Sequence, residues 1–205
     1  MGTIGAQFAV KPPQKKEAMS DPIRCKHAEN LHSACTRRAR RAIHQPMLRY
    51  LTPLATEDLR RLGVPEPWGF GMADRVRFGE LDALGHVNHT AYLRWFESFR
   101  LPYLRARGVT DYGPDAPRLV LRSIAARYHS EMFRNTDYVI AGHTTRYRQT
   151  SFTMDCAIYA LPDARLVCSA SAVIVLLNPD GPGRAAIPAD GLAAFRDLDG
   201  AVPDG

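Results

Sequence analysis

Lysine is missing from the last 179 residues of this 205-residue chain, all four lysines lying at or before position 26. Cysteine is scarce as well. Four cysteines in a chain of this length do not make a disulfide scaffold, so a reducing, cytoplasmic setting is expected. No apolar run comes near the ~20 residues that a membrane-spanning helix needs. The longest, AVIVLL at 172–177, has the length of a buried strand. The start has no basic patch followed by an apolar stretch and a small-residue cleavage site, which argues against secretion.

The missing lysines mark a seam in composition. Residues 1–46 carry nine basic and three acidic residues and so hold the whole formal charge of +6, whereas the remaining 159 residues set 18 arginines against 18 carboxylates. The basic stretch, with TRRARR at 36–41, has little periodicity and few large apolar residues. It cannot bury enough surface to offset its ordering entropy, so a disordered tail is expected. Such an arm can also serve nucleic acid or an anionic membrane, or act as an organelle leader, and Met47 could be a second start. A solvated tail is the commoner meaning of a charge run, and no nucleic-acid partner is expected. Cys25, His27, His32 and Cys35 offer two thiolates and two imidazoles, but in the order C-x-H…H-x-x-C and without an apolar framework, so no metal site is expected.

Past the seam, 47–72 reads as a connecting segment with one short helix: Thr56, then Glu57 and Asp58, then Leu59, Leu62 and Gly63. Two prolines and two glycines in VPEPWGFG (64–71) break regular structure. A short strand is expected over 74–78. The longest helix candidate, 90–108, carries Tyr92, Trp95, Phe96, Phe99 and Tyr103 at helical spacing and ends in Arg105, Arg107 and Gly108. Pro102 within it predicts a kink near 98–101. From 118 onward the period changes from 3.6 to 2, predicting strands over 118–129, 138–149, 152–161 and 166–177. Cys156 and Cys168 fall in these strands as small core residues. NPDGPG (178–183) closes the domain, and 189–205 reads as a short helix with a loose end.

One strand, one long aromatic helix and four further strands make an α+β order. A five-stranded antiparallel sheet wrapped around one central helix satisfies it, and that is the hot-dog fold. The hot-dog domain is placed at 73–188.

The densest chemistry lies between the first strand and the helix, in FGELDALGHVNHTAYLRWFE (78–97). Asn88 fits a helix N-cap. The amides of His89, Thr90 and Ala91 would then face outward with the positive end of the helix dipole behind them, an arrangement suited to an oxyanion. Gly79 and Gly85 let backbone approach a ligand. Asp82 alone reads as a turn aspartate before Gly85, and in this company as a catalytic carboxylate. His86 reads equally as a loop-orienting residue, a proton carrier or a structural histidine. Glu80 reads as a solvated loop carboxylate, and His129 and His143 as structural.

Phe78, Gly79, Asp82, Gly85, Val87 and Asn88, followed by Tyr92, Leu93, Phe96 and Glu97, resemble the motif of the 4-hydroxybenzoyl-CoA thioesterase branch of hot-dog acyl-CoA thioesterases. The resemblance covers 73–188, strongly over 78–97 and diffusely beyond. It implies hydrolysis of an acyl-CoA or acyl-carrier-protein thioester. Asp82 would act as nucleophile or as base for water, and backbone around His89, capped by Asn88, would polarise the carbonyl. It also implies an active site at the interface of a homodimer or homotetramer. No cofactor or metal is called for, because a thioester is already activated. Gly85 and Thr90 are counted among the CoA-binding residues, and Arg127, Arg134 and Arg148 are candidate phosphate partners by residue type alone. Where family members carry Pro and Gly before the third strand, this chain has Phe133 and Thr136, which leaves the acyl group open. Two other readings share the fold. One is a hydratase or dehydratase, pairing Asp82 with His86. The other is a non-catalytic acyl-CoA sensor, which would lack the carboxylate that Asp82 supplies.

Overall fold

The structure, a computed structural model, describes residues 48–205. The basic stretch and the cysteine–histidine set at 25–35 lie outside the described residues. Within them the elements are β1 (Pro53–Ala55), α1 (Thr56–Arg61), β2 (Phe70–Arg75), a 3-10 turn (Phe78–Glu80), α2 (His89–Ala106), β3 (Arg118–Tyr128), β4 (Asp137–Tyr147), β5 (Ser151–Ala160), β6 (Arg165–Leu177), α3 (Ala189–Asp197) and β7 (Val202–Pro203). The sheet order is β1-β2-β4-β5-β6-β3, antiparallel throughout. β7 adds in parallel beside Arg146 and Tyr147, beyond the part of β4 that β2 covers. Five strands and α2 form the hot-dog; β1 and β7 extend the expected five strands to seven.

The aromatic stripe of α2 is core. Tyr92, Trp95, Phe96, Phe99 and Tyr103 are buried. Trp95 stacks on Tyr138 of β4 at 4.4 Å, and Phe99 and Tyr103 both meet Phe70 of β2, at 5.8 and 5.7 Å. The helix continues through Pro102 to Ala106.

The first long strand starts earlier than its sequence suggests, at Phe70 and not at Asp74. Phe70 and Met72 join the core beneath α2, while Ala73 belongs to a second cluster with Leu59. Gly71, which reads as a breaker, is a strand residue. A Cβ there would lie 2.6 Å from Leu59 Cδ2 and 3.0 Å from the Ile140 carbonyl oxygen, so the position admits glycine because α1 packs directly on it.

That second cluster corrects the reading of the preceding segment as a mere connection. Leu59 and Val64, with Leu48, Leu54, Leu62 and Trp68, pack on Ala73, Val139, Ala141, Ala157 and Tyr159. These sheet residues alternate with those that face α2, so the segment roofs the other side of β2, β4 and β5. Arg60 holds the loop of this roof by donating to the carbonyls of Val64, Pro65 and Trp68 at 2.7, 2.7 and 2.9 Å. Trp68 Nε1 donates to the Tyr159 hydroxyl at 2.8 Å.

At the far end of α2 a buried ionic group ties in the C-terminal segment. Asp199, with a side chain 0% exposed, accepts from Arg107 Nη2 at 2.7 Å and from the Tyr103 hydroxyl at 2.5 Å. The Tyr103 oxygen in turn accepts from Thr144 Oγ1 of β4 at 2.8 Å. Burial and the neighbouring Asp199 push the Tyr103 hydroxyl well above its ordinary pKa. Cys156 and Cys168 are buried core residues, as expected, and burial pushes the Cys168 thiol up to about 12.

Candidate active site

The loop between β2 and α2 is built from its two roots inward. Val76 N donates to Thr136 O and Val87 N to Met132 O, both at 2.9 Å, so the turn before β4 supports both ends. Between them Leu81 bridges Val87, and Asp82 N donates to His86 O at 2.8 Å, closing a tight hairpin. Gly85 sits at φ +81°, the left-handed conformation this turn requires, and its N donates to Asp82 O at 3.1 Å.

Inside the hairpin the half-buried Asp82 is oriented by its own turn. Its Oδ1 accepts the amides of Leu84 and His86 at 2.8 and 3.2 Å. Oδ2 has no hydrogen-bond partner among the described residues. Asn88 caps α2 as expected, its Oδ1 accepting from Thr90 N and Thr90 Oγ1, both at 2.9 Å. The cap corrects the expectation of three outward amides. Thr90 N is taken by the Asn88 side chain and Ala91 N by the Asn88 carbonyl at 2.9 Å. Only the His89 N–H is left without an acceptor among the described residues. The site therefore offers one free carboxylate oxygen and one free amide at a helix start.

A family model for the thioesterase-like superfamily matches residues 76–195, the stretch that holds this loop, α2 and the four long strands. The chain belongs to that superfamily. A thioesterase superfamily structure from Jannaschia sp. CCS1 shares 58% identity with this thioesterase over 76% of this chain and 99% of its own, with a TM-score of 0.74. A 1,4-dihydroxy-2-naphthoyl-CoA thioesterase from Synechocystis has 17% identity, coverage of 63% and 96%, and a TM-score of 0.56. A thioesterase from Thermus thermophilus, solved with coenzyme A and zinc, has 22% identity, coverage of 63% and 99%, and a TM-score of 0.56. These two likenesses speak for the fold. No curated protein sequence matches the chain. With the family shown, the protein is a thioester hydrolase.

The other expected site residues of the thioesterase divide. His86 turns toward the turn before β4, its Nε2 lying 3.3 Å from Glu131 Oε2 and its ring against Phe133. The exposed His89 is tied by its carbonyl, which accepts from the Tyr128 hydroxyl at 3.3 Å. Tyr128 lies edge-on to Tyr92, whose hydroxyl burial pushes up to about 12. Arg134 lies over the Phe78 ring at 5.4 Å, beside the loop. Arg127 is exposed on β3, and Arg148 lies at the other end of the sheet, paired with Asp204 at 3.1 Å. His129 bonds Ser169 at 2.8 Å and His143 packs on Trp68. Among the described residues no group of three or more His, Cys, Asp and Glu is placed to hold a metal ion, and no helix is long and apolar enough to cross a membrane.

Glu80 departs most from its reading as a solvated residue. Its side chain is 12% exposed, accepting from Trp95 Nε1 at 2.8 Å and from Arg77 N at 2.6 Å. Arg77 in turn clamps the buried Asp74 through both terminal nitrogens at 2.8 Å. Beside this network a cavity of about 440 Å³ opens between α2 and the β2 edge, walled by Met72, Phe99, Trp95, Tyr138 and Ile140. The side-chain contacts of Glu80 span three and fifteen positions, and neither leaves a signature in the sequence, since the short one runs from the backbone of Arg77, whose side chain is no helix cap.

Proposed function

We propose that the protein hydrolyses acyl-CoA or acyl-carrier-protein thioesters with Asp82 as the reacting carboxylate. The observation that carries this is that one loop holds both Asp82, with one oxygen anchored and one free, and the unfilled His89 amide at the start of α2. The acyl carbonyl oxygen accepts from the His89 N–H as negative charge builds on it, favoured by the helix dipole. Asp82 Oδ2 then attacks the carbonyl carbon, expelling the thiolate and leaving an anhydride for water to cleave, or it takes a proton from the attacking water. Both routes end in a free acid and a thiol.

A coenzyme A substrate is supported by two relatives, the Thermus thermophilus thioesterase above and a Staphylococcus aureus protein solved in complex with CoA. Arg134 is the phosphate partner we favour, because it stands next to the loop whereas Arg148 does not. Assembly as a homodimer is supported by β3, which pairs only with β6 among the described residues and exposes Val120, Leu121 and Tyr128. A hydratase would pair the His86 ring with Asp82, whereas its Nε2 lies 3.3 Å from Glu131 Oε2.

The test is thiol release from short, long and aromatic acyl-CoAs by wild type and Asp82→Asn. Loss of a reacting carboxylate lowers kcat by roughly 10²–10⁴-fold. Equal rates in the two proteins would dispose of Asp82, and an inactive wild type across the whole panel would dispose of acyl-CoA hydrolysis.

A further inference from the structure

We propose that Glu80 is a positioning residue of the hydrolysis, fixing where the Asp82 carboxylate and the free His89 amide stand relative to each other. The inference rests on the reading of Asp82 given above.

Glu80 is the point at which three elements meet. Its Oε2 accepts from Arg77 N at 2.6 Å, which holds the exit from β2. Its Oε1 accepts from Trp95 Nε1 at 2.8 Å, which holds the second turn of α2. Its backbone carbonyl accepts from Asn88 N at 2.8 Å, which holds the N-cap itself. One residue thus sets both the root of the Asp82 hairpin, two positions on, and the cap that leaves the His89 amide free.

Both anchors of this strut are rigid. Arg77 is clamped by Asp74, buried on β2, and the Trp95 indole is stacked on Tyr138 at 4.4 Å. The hairpin tip, by contrast, is open to solvent, with Leu84 79% exposed, so the direction of Asp82 is decided at its root. Packing does not replace the strut, because the 440 Å³ cavity has Arg77, Glu80 and Trp95 in its wall. Without the carboxylate, the indole and the loop have open space into which to shift. A misplacement of about 1 Å between reacting groups costs on the order of 10²-fold in rate.

The experiment compares wild type, Glu80→Ala, Glu80→Gln and Trp95→Phe. The substrate is an acyl-CoA that wild type hydrolyses, and kcat and KM are resolved separately. Glu80→Ala is expected to lower kcat by roughly 10–100-fold with KM within about threefold. Glu80→Gln keeps the length and one of the two acceptors, while its NH2 faces the other donor, so it should recover part of that loss. Trp95→Phe keeps the stack on Tyr138 but removes the donor, and should lower kcat in the same direction even if Glu80→Ala fails to fold. In all folded variants amide exchange should quicken over 81–88 and stay unchanged over 96–104. A wild-type kcat in Glu80→Ala, or in Trp95→Phe where the alanine variant does not fold, overturns the proposal. So does equal loss in the alanine and glutamine variants, or unchanged exchange over 81–88. An inactive wild type or a fully active Asp82→Asn is a failure of the hydrolysis reading instead, and the exchange measurement then still decides whether Glu80 orders the loop.

Discussion

The clasp at the end of α2 yields the sharpest stability prediction. Asp199→Ala removes the carboxylate that accepts from Arg107 Nη2 at 2.7 Å and Nε at 3.1 Å and from the Tyr103 hydroxyl at 2.5 Å. Tyr103 keeps a partner in Thr144, but the Arg107 side chain, 8% exposed, keeps no anion. It lies over the rings of Phe70 and Tyr103, at 5.5 and 5.1 Å, so water cannot readily take the place of the carboxylate. Removing one partner of such a buried pair costs about 3–5 kcal/mol, against roughly 5–15 kcal/mol for the stability of a whole domain. For a folded unit of this size that lowers Tm by about 6–20 °C. The measurement is thermal and urea unfolding followed by circular dichroism. Asp199→Ala combined with Arg107→Met, which removes the orphaned charge and keeps the volume, should lie closer to wild type than the single variant. A single variant within about 1 kcal/mol of wild type, or a double variant no better than the single, would refute the reasoning.

Two further expectations follow from the sheet. Gly71→Ala sets a methyl 2.6 Å from Leu59 Cδ2 and should cost roughly 1–3 kcal/mol, and much less in a Leu59→Ala background, as equilibrium unfolding of the four proteins will show. Burial holds the His143 imidazole below its usual 6.5, with Asp199 and Asp155 opposing, so between 6.5 and the lower native value the unfolded chain binds more protons. Stability contributed by the neutral ring is complete above 6.5 and is lost as pH falls through the native value, so Tm should drop between pH ~7 and ~5 less steeply in His143→Gln than in wild type. Parallel slopes would contradict that assignment.

The parts of the molecule that were legible in sequence are those whose causes are local. The four long strands announce themselves because residues such as Phe152, Met154, Cys156 and Ile158 alternate on one buried face, and α2 because its aromatics recur at helical spacing. Asp82 and Asn88 were readable because turn and cap chemistry act over two to four residues. That same chemistry explains the error over the amides, since a capping Asn88 engages the very N–H of Thr90 that was expected to be free. What was not legible depends on partners far along the chain. Gly71 reads as a breaker unless Leu59 is known to press on it. The roof over the second face uses Leu48, Leu54, Leu59, Leu62 and Trp68 at irregular spacing, which matches no period. Glu80 looks solvated until Trp95 is brought to it, and His86 looks available until Glu131 is.

Neighbouring residues of β4 answer to different cores: Tyr138 and Ile140 to the one beneath α2, Val139 and Ala141 to the one beneath α1. A slip of one residue would trade the two sets wholesale, so this half of the strand is locked in register from both sides. The extra residue in β4 comes later, between Thr144 and Arg146, and its counterpart in β3 lies between Leu121 and Ser123. β4 thus has a span where chain length is rigidly specified and another where an inserted residue is absorbed as a bulge. Insertions and deletions tolerated within β4 should fall in the second.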